Sequence, residues 1–149
     1  EFSKGQTKLV CPFFCYNPKM GKIKPFFEQV YAVIRLIPKG KVTSYGRIAN
    51  MLDAPRGSRA VGYALRALKY KRNDPDYEGI PWQRVVNVQG EISLPGIGKQ
   101  MQVELLEEDG VKFSSKGRID LKQYLWEGML PHEIKPLIGI EEENDGGQR

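Results

Sequence analysis

The chain has 149 residues, 40% of them hydrophobic, which is enough for one compact domain with its own core. No run approaches the roughly 18 uncharged apolar residues that a membrane span requires, and no N-terminal stretch resembles a signal peptide. We therefore expect an intracellular protein, nuclear if eukaryotic, with no membrane partner. The net charge of +5 is uneven: residues 22–72 hold twelve Lys and Arg against two acidic residues, and the remainder is −5. This basic segment favours a phosphate-backbone partner, although solvated basic faces are also common.

The two cysteines, Cys11 and Cys15, both lie in an N-terminal arm of turn-forming and aromatic residues. Their spacing is half of a zinc site, but two further ligands are missing, and the one histidine, His132, is far away in sequence. We therefore predict free thiols in a reducing compartment, no metal site and no cofactor.

Three helices are predicted in the basic segment. Residues 25–37 show helical apolar spacing. Ser44 is suited to cap a second helix that ends near residue 52, and Ser58 a third over residues 59–70. A short turn with proline and glycine joins the last two, which outlines a helix-turn-helix. Two core helices that meet at a corner are the alternative.

The third helix has two different faces. Val61, Ala64, Leu65 and Leu68 form an apolar side. The opposite side is basic and aromatic and contains Arg59, Gly62, Tyr63, Arg66, Lys69 and Tyr70. A glycine inside a helix costs up to about 1 kcal/mol relative to alanine, so we expect Gly62 to serve packing or the close approach of a partner.

Beyond the third helix the pattern becomes mixed. Residues 80–88 are β-prone and, with 91–93, predict a small hairpin or wing. The glycine-rich loop 94–98 lacks the ending of a P-loop, and residues 99–109 are amphipathic through Met101, Leu105 and Leu106, or through Val103 and Leu106. Asp120 is suited to cap a last helical turn.

We therefore predict a mainly α fold with a small β-hairpin or wing and a helix-turn-helix, winged-helix-like DNA-binding domain. The expected organisation is an extended arm over residues 1–24, the domain over 25–130, and an acidic, disordered tail over 131–149. A monomer is expected.

Three collinear segments together resemble one family. They are residues 38–46 (PKGKVTSYG), 58–65 (SRAVGYAL) and 81–87 (PWQRVVN). All three resemble the DNA-binding domain of the O6-alkylguanine-DNA alkyltransferases, and the tryptophan at position 82 makes the alkyltransferase-like proteins the nearest match. The likeness covers residues 26–128.

The resemblance implies roles for two residues of the helix-turn-helix. Tyr45 resembles the tyrosine that presses on the phosphate of the target nucleotide, and Arg59 resembles the arginine finger that enters the base stack. Flipping a base costs a few kcal/mol, and a planar guanidinium stacked in the vacancy offsets part of that cost. From the residues alone, a core tyrosine is the preferred interpretation of Tyr45, and an exposed residue at a helix start is the alternative for Arg59.

The resemblance also implies that the protein is not an enzyme. Trp82 stands where the Pro-Cys-His-Arg-Val motif of the transferases has its acceptor cysteine, and Gln83 where it has histidine. Asp109 replaces a glutamate, so the relay that forms the thiolate is weakened. Trp82 is then expected in the lesion pocket; the alternative is a core tryptophan in a strand.

The predicted DNA and lesion contacts combine this resemblance with the helix faces. They are Tyr45, Arg59, Gly62, Tyr63, Arg66, Trp82, Gln83, Arg84, Val85, Ser93 and Gly96.

Three functions follow. The first is recognition of O6-alkylguanine in double-stranded DNA by flipping and bending, without removal of the alkyl group, and delivery to nucleotide excision repair proteins. The second is a transferase or glycosylase with another nucleophile, such as Cys11 or Cys15. The third is a sequence-specific winged-helix regulator, which would discriminate base sequence in undamaged DNA and usually need a dimerisation surface.

Overall fold

The structure is a computed structural model that describes residues 24–139. Cys11 and Cys15 and the acidic residues 141–143 lie outside this range. Its helices and strands are α1 (Phe26–Ile34), β1 (Thr43–Ser44), α2 (Tyr45–Met51), α3 (Ser58–Leu68), β2 (Val85–Val86), α4 (Gly96–Glu108), α5 (Leu121–Tyr124) and α6 (Pro131–Ile134). Short 3-10 turns occur at Pro75–Tyr77, Trp82–Arg84 and Lys135–Ile138. The predicted mainly helical fold with a small sheet is confirmed. Among these residues no helix is long and apolar enough to cross a membrane.

Helix α1 follows its apolar spacing and buries Tyr31 and Ile34. It ends at Ile34, three residues before its predicted end. The backbone then tightens into hydrogen bonds between residues three apart, one of which joins the Ile37 N–H to the Ile34 carbonyl oxygen. Pro38 favours this early end, because a residue that precedes proline avoids the helical conformation. Ile37 nevertheless stays buried.

Helices α2 and α3 form the predicted helix-turn-helix. Ser44 caps α2 as predicted, since its Oγ accepts a hydrogen bond of 3.3 Å from the backbone N–H of Arg47. The prediction that Ser58 caps α3 is wrong. Gly57 occupies the cap position and Ser58 is the first helical residue. The turn is too tight for a side chain at Gly57, where a Cβ would lie 2.9 Å from the carbonyl oxygen of Ala54.

The small sheet is parallel and joins segments far apart in sequence. Its register is Thr43 with Val85 and Ser44 with Val86. The predicted hairpin between residues 80–88 and 91–93 is therefore wrong: a turn forms there, but residues 91–93 are not a strand. Val85 and Val86 are both buried, on opposite faces of the strand, which favours an interior parallel pairing over a half-exposed hairpin.

Strand β2 lies between two hydrophobic cores. Val85 belongs to the first core, with side chains from α1, α2 and α3, whereas Val86 belongs to the second, with Leu106 of α4. Successive strand residues point to opposite faces, so two adjacent valines serve both cores. The segment around residue 82 is thereby held between the helix-turn-helix and α4.

Helix α4 begins at Gly96, three residues before its predicted start, directly after the extended Pro95. The predicted glycine-rich loop is correspondingly shorter. The first N–H groups of any helix lack partners within the helix, so weak helix formers cost less there than in the interior. Of the two predicted apolar faces, the one with Val103 and Leu106 meets the core, and Met101 remains partly exposed.

The C-terminal part of the domain extends beyond its predicted end. Asp120 caps α5 as predicted, through the backbone N–H of Lys122 at 3.0 Å. The acidic tail was expected to begin at residue 131, but α6 and the following 3-10 turn are folded, and Ile134 and Ile138 are buried in the first core. The apolar spacing of these two isoleucines outweighs the neighbouring acidic composition. Residues 140–149 lie outside the described range.

Candidate nucleic-acid interface

Helix α3 exposes the face that its sequence predicts. Val61 and Ala64 are buried, which orients the opposite side towards solvent. Tyr63 is 56% exposed and Tyr70, just beyond the helix, 81%. The exposed side chains combine positive charge with aromatic rings: Arg59, Tyr63, Arg66, Lys69 and Tyr70. Cations that neutralise phosphates and rings that stack on bases are the usual means of binding nucleic acid.

The positive charge of the basic segment is divided between internal and free cations. Four residues have partners inside the domain: Arg35, Lys41, Arg47 and Lys71. Four arginines have no hydrogen bond or ion pair within residues 24–139: Arg56, Arg59, Arg66 and Arg72. All four lie on α3 or in the loops at its two ends. The arginine side chains without an internal partner are therefore grouped around this helix.

A cluster of aromatic and charged side chains contacts α3 on the side that faces the domain. The Tyr31 hydroxyl donates a 2.7 Å hydrogen bond to the carbonyl oxygen of Ala64. Burial raises the pKa of Tyr31, an effect that nearby Lys71 partly offsets. Tyr77 meets the Tyr31 ring edge-on at 5.6 Å, its hydroxyl donates to Glu28 at 2.5 Å, and the Lys71 ammonium lies 4.1 Å from its ring centroid. These contacts fix both α3 and the loop that follows it.

Gly62 has no packing requirement within the described residues. A Cβ at this position would meet no atom within 4 Å. Of the two explanations for a glycine in mid-helix, internal packing is therefore excluded. The other explanation is that a partner comes close to the exposed face of α3.

Trp82 is not the core tryptophan that the alternative interpretation expected. It is half-buried, begins a 3-10 turn rather than a strand, and belongs to neither hydrophobic core. The chain's other tryptophan, Trp126, packs against the first core. Trp82 is thus only partly shielded from solvent.

Tyr45 combines its two predicted environments. It is the first residue of α2, half-buried against the first core, and its hydroxyl shares a hydrogen bond with the side chain of Ser93. Burial raises the pKa of Tyr45, an effect that the hydrogen bond to Ser93 partly offsets. The structure thus brings together two predicted site residues from segments that are 48 positions apart.

Gln83 and Arg84 both point to Asp109 at the end of α4. The Gln83 amide nitrogen lies 3.4 Å from Oδ2 of Asp109, and Nε of Arg84 donates to the same oxygen at 2.8 Å. The hydrogen bond from Arg84 holds the pKa of Asp109 below its usual value. Arg84 also donates to the carbonyl oxygen of Ile37 at 2.8 Å. The guanidinium predicted to contact DNA is thus bound to partners within the domain.

The remaining predicted residues differ in what they expose. Val85 is buried, and its backbone N–H and carbonyl oxygen both have partners within the domain, whereas Ser93 and Gly96 are exposed. Sequence reasoning missed Gln102, which is 2% exposed and donates from Nε2 to the carbonyl oxygens of Gln83 and Val85, both at 2.9 Å. A polar residue one turn before buried Leu106 was the available signal.

The interface is built from arginine, aromatic and amide side chains. No group of three or more His, Cys, Asp and Glu side chains within residues 24–139 is arranged to hold a metal ion. The arrangement is suited to charge neutralisation and stacking.

Comparisons with known proteins identify the family of this chain. Residues 25–111 match the family described as 6-O-methylguanine DNA methyltransferase, DNA binding domain. The chain belongs to this family. A "DNA base-flipping protein" of Vibrio parahaemolyticus is 44% identical over 102 residues, which cover 68% of this chain and 96% of that protein. "Alkyltransferase-like protein 1" of Schizosaccharomyces pombe is 36% identical over 111 residues, 70% of this chain and 97% of that protein.

A solved structure of the same branch is also similar. The crystal structure of S. pombe Atl1 in complex with damaged DNA containing O6-carboxymethylguanine aligns with a TM-score of 0.56 at 38% identity. The alignment covers 68% of this chain and 94% of that chain. The predicted resemblance to the alkyltransferase-like proteins is therefore confirmed.

Proposed function

We propose that this protein binds O6-alkylguanine in duplex DNA, rotates the modified nucleotide out of the base stack and holds it without removing the alkyl group. The observation that carries the proposal is the state of Trp82. A half-buried tryptophan outside both cores stands where the transferases of this family have their acceptor cysteine. An indole contacts an alkylated base by stacking and apolar contact and is not consumed.

The surroundings of Trp82 support binding over transfer. Gln83 has an amide where the transferases have a histidine, and an amide nitrogen is not a base at neutral pH. Its partner Asp109 also binds Arg84, which keeps the carboxylate in its charged form. Neither nucleophile nor base is present at the two motif positions, so the complex is expected to persist.

The rest of the interface supplies the DNA contacts. Arg59 has a free, exposed guanidinium at the start of α3 and is the proposed finger that fills the vacancy in the stack. Tyr45 is the proposed contact at the rotated phosphate. The names of two relatives, a base-flipping protein and a protein solved with damaged DNA, support base flipping and the binding of damaged DNA.

A bound lesion that is not repaired must be removed by another system. We propose that the protein acts as a monomer, bends the duplex, and directs the lesion to nucleotide excision repair. One helix-turn-helix is enough to present one arginine finger to one lesion. A bend makes the site recognisable without base-specific chemistry, at a cost of a few kcal/mol for a deformable site.

The test is equilibrium binding to two duplexes that differ only in one O6-methylguanine, at one fixed salt concentration, with the recovered DNA assayed for its methyl group. We expect tighter binding to the modified duplex and full retention of the methyl group. Equal binding to both duplexes would favour a sequence-specific regulator. Loss of the methyl group would indicate a transferase.

Alanine variants of two arginines on α3 distinguish a role in base flipping from a general effect of positive charge. Arg59→Ala should reduce the preference for the modified duplex by about tenfold or more, because the finger acts only when a base is rotated out. Arg66→Ala removes the same charge from the same face and should weaken binding to both duplexes alike. Equal loss of preference in both variants would contradict the assigned role of Arg59.

A further inference from the structure

Gln102 is a buried polar side chain in the middle of α4. Its Nε2 donates two hydrogen bonds, to the carbonyl oxygens of Gln83 and Val85, each at 2.9 Å. One amide group has two N–H donors, so both are used in this arrangement. A single side chain thus holds two alternate carbonyls of the segment that begins at Trp82.

The position of the Trp82 ring depends on the path of this backbone. The ring is outside both cores, so core packing does not fix it. The Trp82 N–H donates to the carbonyl oxygen of Ile80 at 2.8 Å, and the turn it begins leads directly to the two carbonyls that Gln102 holds. A displacement of this backbone would therefore displace the indole.

Helix α4 also carries a second predicted part of the site. Gly96, at its start, is exposed and lies six residues before Gln102, about 9 Å along a helix at the usual rise of about 1.5 Å per residue. Gln102 therefore links the Trp82 segment to the same helix that begins at Gly96. These two hydrogen bonds act in the middle of α4, and those from Gln83 and Arg84 to Asp109 act at its end.

We propose that Gln102 is a positioning residue for lesion recognition, which sets where Trp82 stands relative to the start of α4. The proposal rests on the proposed function, since it assigns a role in discrimination between modified and unmodified guanine. Gln102 does not touch the DNA; it acts through the backbone of residues 83–85. Small displacements in a binding site reduce discrimination more than they reduce general affinity.

The first test is the variant Gln102→Met, which keeps the length of the side chain and removes both donors. The preference for the O6-methylguanine duplex should fall by about tenfold, with binding to the unmodified duplex unchanged. The matched control is Val103→Ala, which removes apolar contacts with the second core from the adjacent residue of the same helix. The control should lower the melting temperature and retain the preference. If the methionine variant does not fold, Gln102→Asn replaces it, because asparagine keeps the amide on a shorter side chain. We expect an intermediate loss of preference for the O6-methylguanine duplex in that variant.

The second test measures the fluorescence of the Trp82 indole in the absence of DNA. In a Trp126→Phe background, Trp82 is the sole tryptophan of the chain. Gln102→Met should change its emission maximum and its quenching by acrylamide, and Val103→Ala should change neither.

The outcomes distinguish the two proposals. A wild-type protein that prefers the lesion, together with a Gln102→Met variant of unchanged preference, would overturn the role of Gln102 alone. A wild-type protein without any preference would overturn the proposed function and the discrimination role with it. Unchanged Trp82 emission in Gln102→Met would overturn the positioning mechanism in either case.

Discussion

At the scale of single residues, Arg84 links two segments of the fold, a structural role that its sequence motif does not indicate. Its guanidinium joins the segment that follows α1, through the Ile37 carbonyl, to the end of α4, through Asp109. Both charged groups are largely shielded from solvent, at 16% and 9% side-chain exposure. Removal of one partner from a shielded pair leaves the other charge poorly solvated, which is costly.

This pair predicts a pH-dependent stability. The pKa of Asp109 is lower in the folded protein than in the unfolded chain, so its contribution is present above the usual aspartate pKa and is lost as the pH falls below it. Asp109→Asn should reduce the free energy of unfolding by about 1–3 kcal/mol at pH 7, and the difference from wild type should shrink below about pH 4. Urea unfolding at a series of pH values measures both.

A second acid serves as the control for Asp109. Glu91 also has an arginine partner, Arg118 at 2.6 Å, but that pair is exposed. Glu91→Gln should leave the unfolding midpoint almost unchanged at every pH. A loss at pH 7 as large as that of Asp109→Asn would mean that shielding is not what makes the Arg84 pair important.

At the scale of elements, α3 has one side that packs against the domain and one side that is open to a partner. One side is fixed by Val61 and Ala64 in the core and by the hydrogen bond from Tyr31. The other side carries free arginines and a glycine with open space around it. A rigid helix with a bare surface is suited to close contact with a nucleic-acid backbone.

Gly62 allows stability and binding to be separated. Gly62→Ala and Gly62→Leu should each raise the free energy of unfolding by up to about 1 kcal/mol, because alanine and leucine are both good helix formers and the position is open. Affinity for duplex DNA should fall with side-chain size, slightly for alanine and strongly for leucine. Chemical unfolding and equilibrium binding measure the two effects. Full affinity in the leucine variant would disprove the close approach.

At the scale of the whole molecule, the C-terminal segment completes the core. Residues 131–138 bring Ile134 and Ile138 against side chains of α1 and α2, and the Lys24 N–H donates to the carbonyl oxygen of Ile138 at 3.2 Å. The two ends of the described chain therefore meet. This segment packs against the helix-turn-helix and is part of the folded domain.

Two residues of this segment test its contribution. Ile134 is 1% exposed, so Ile134→Ala should cost about 2–5 kcal/mol of unfolding free energy through lost burial and a residual cavity. Leu137 lies three residues later and is 43% exposed, so Leu137→Ala should change it by less than about 1 kcal/mol. Thermal and urea unfolding compare them directly. Similar small effects would show that the segment is dispensable to the core.

Local patterns were enough for several features of this protein. The faces of α3 and the caps at Ser44 and Asp120 were predictable, because each depends on residues a few positions apart. The charge of residues 22–72 also indicated the kind of partner, although not which of its cations stay free.

The tertiary fold was needed for everything that joins distant segments. The partner of β2, the shared carboxylate of Asp109, the clamp at Gln102 and the burial of Ile134 link residues 17 to more than 40 positions apart. Such contacts depend on which surfaces remain unpaired once the helices have formed. A local sequence pattern does not predict which distant segments will then pack together. The sequence alone therefore specified the chemistry of the interface, and long-range packing specified its geometry.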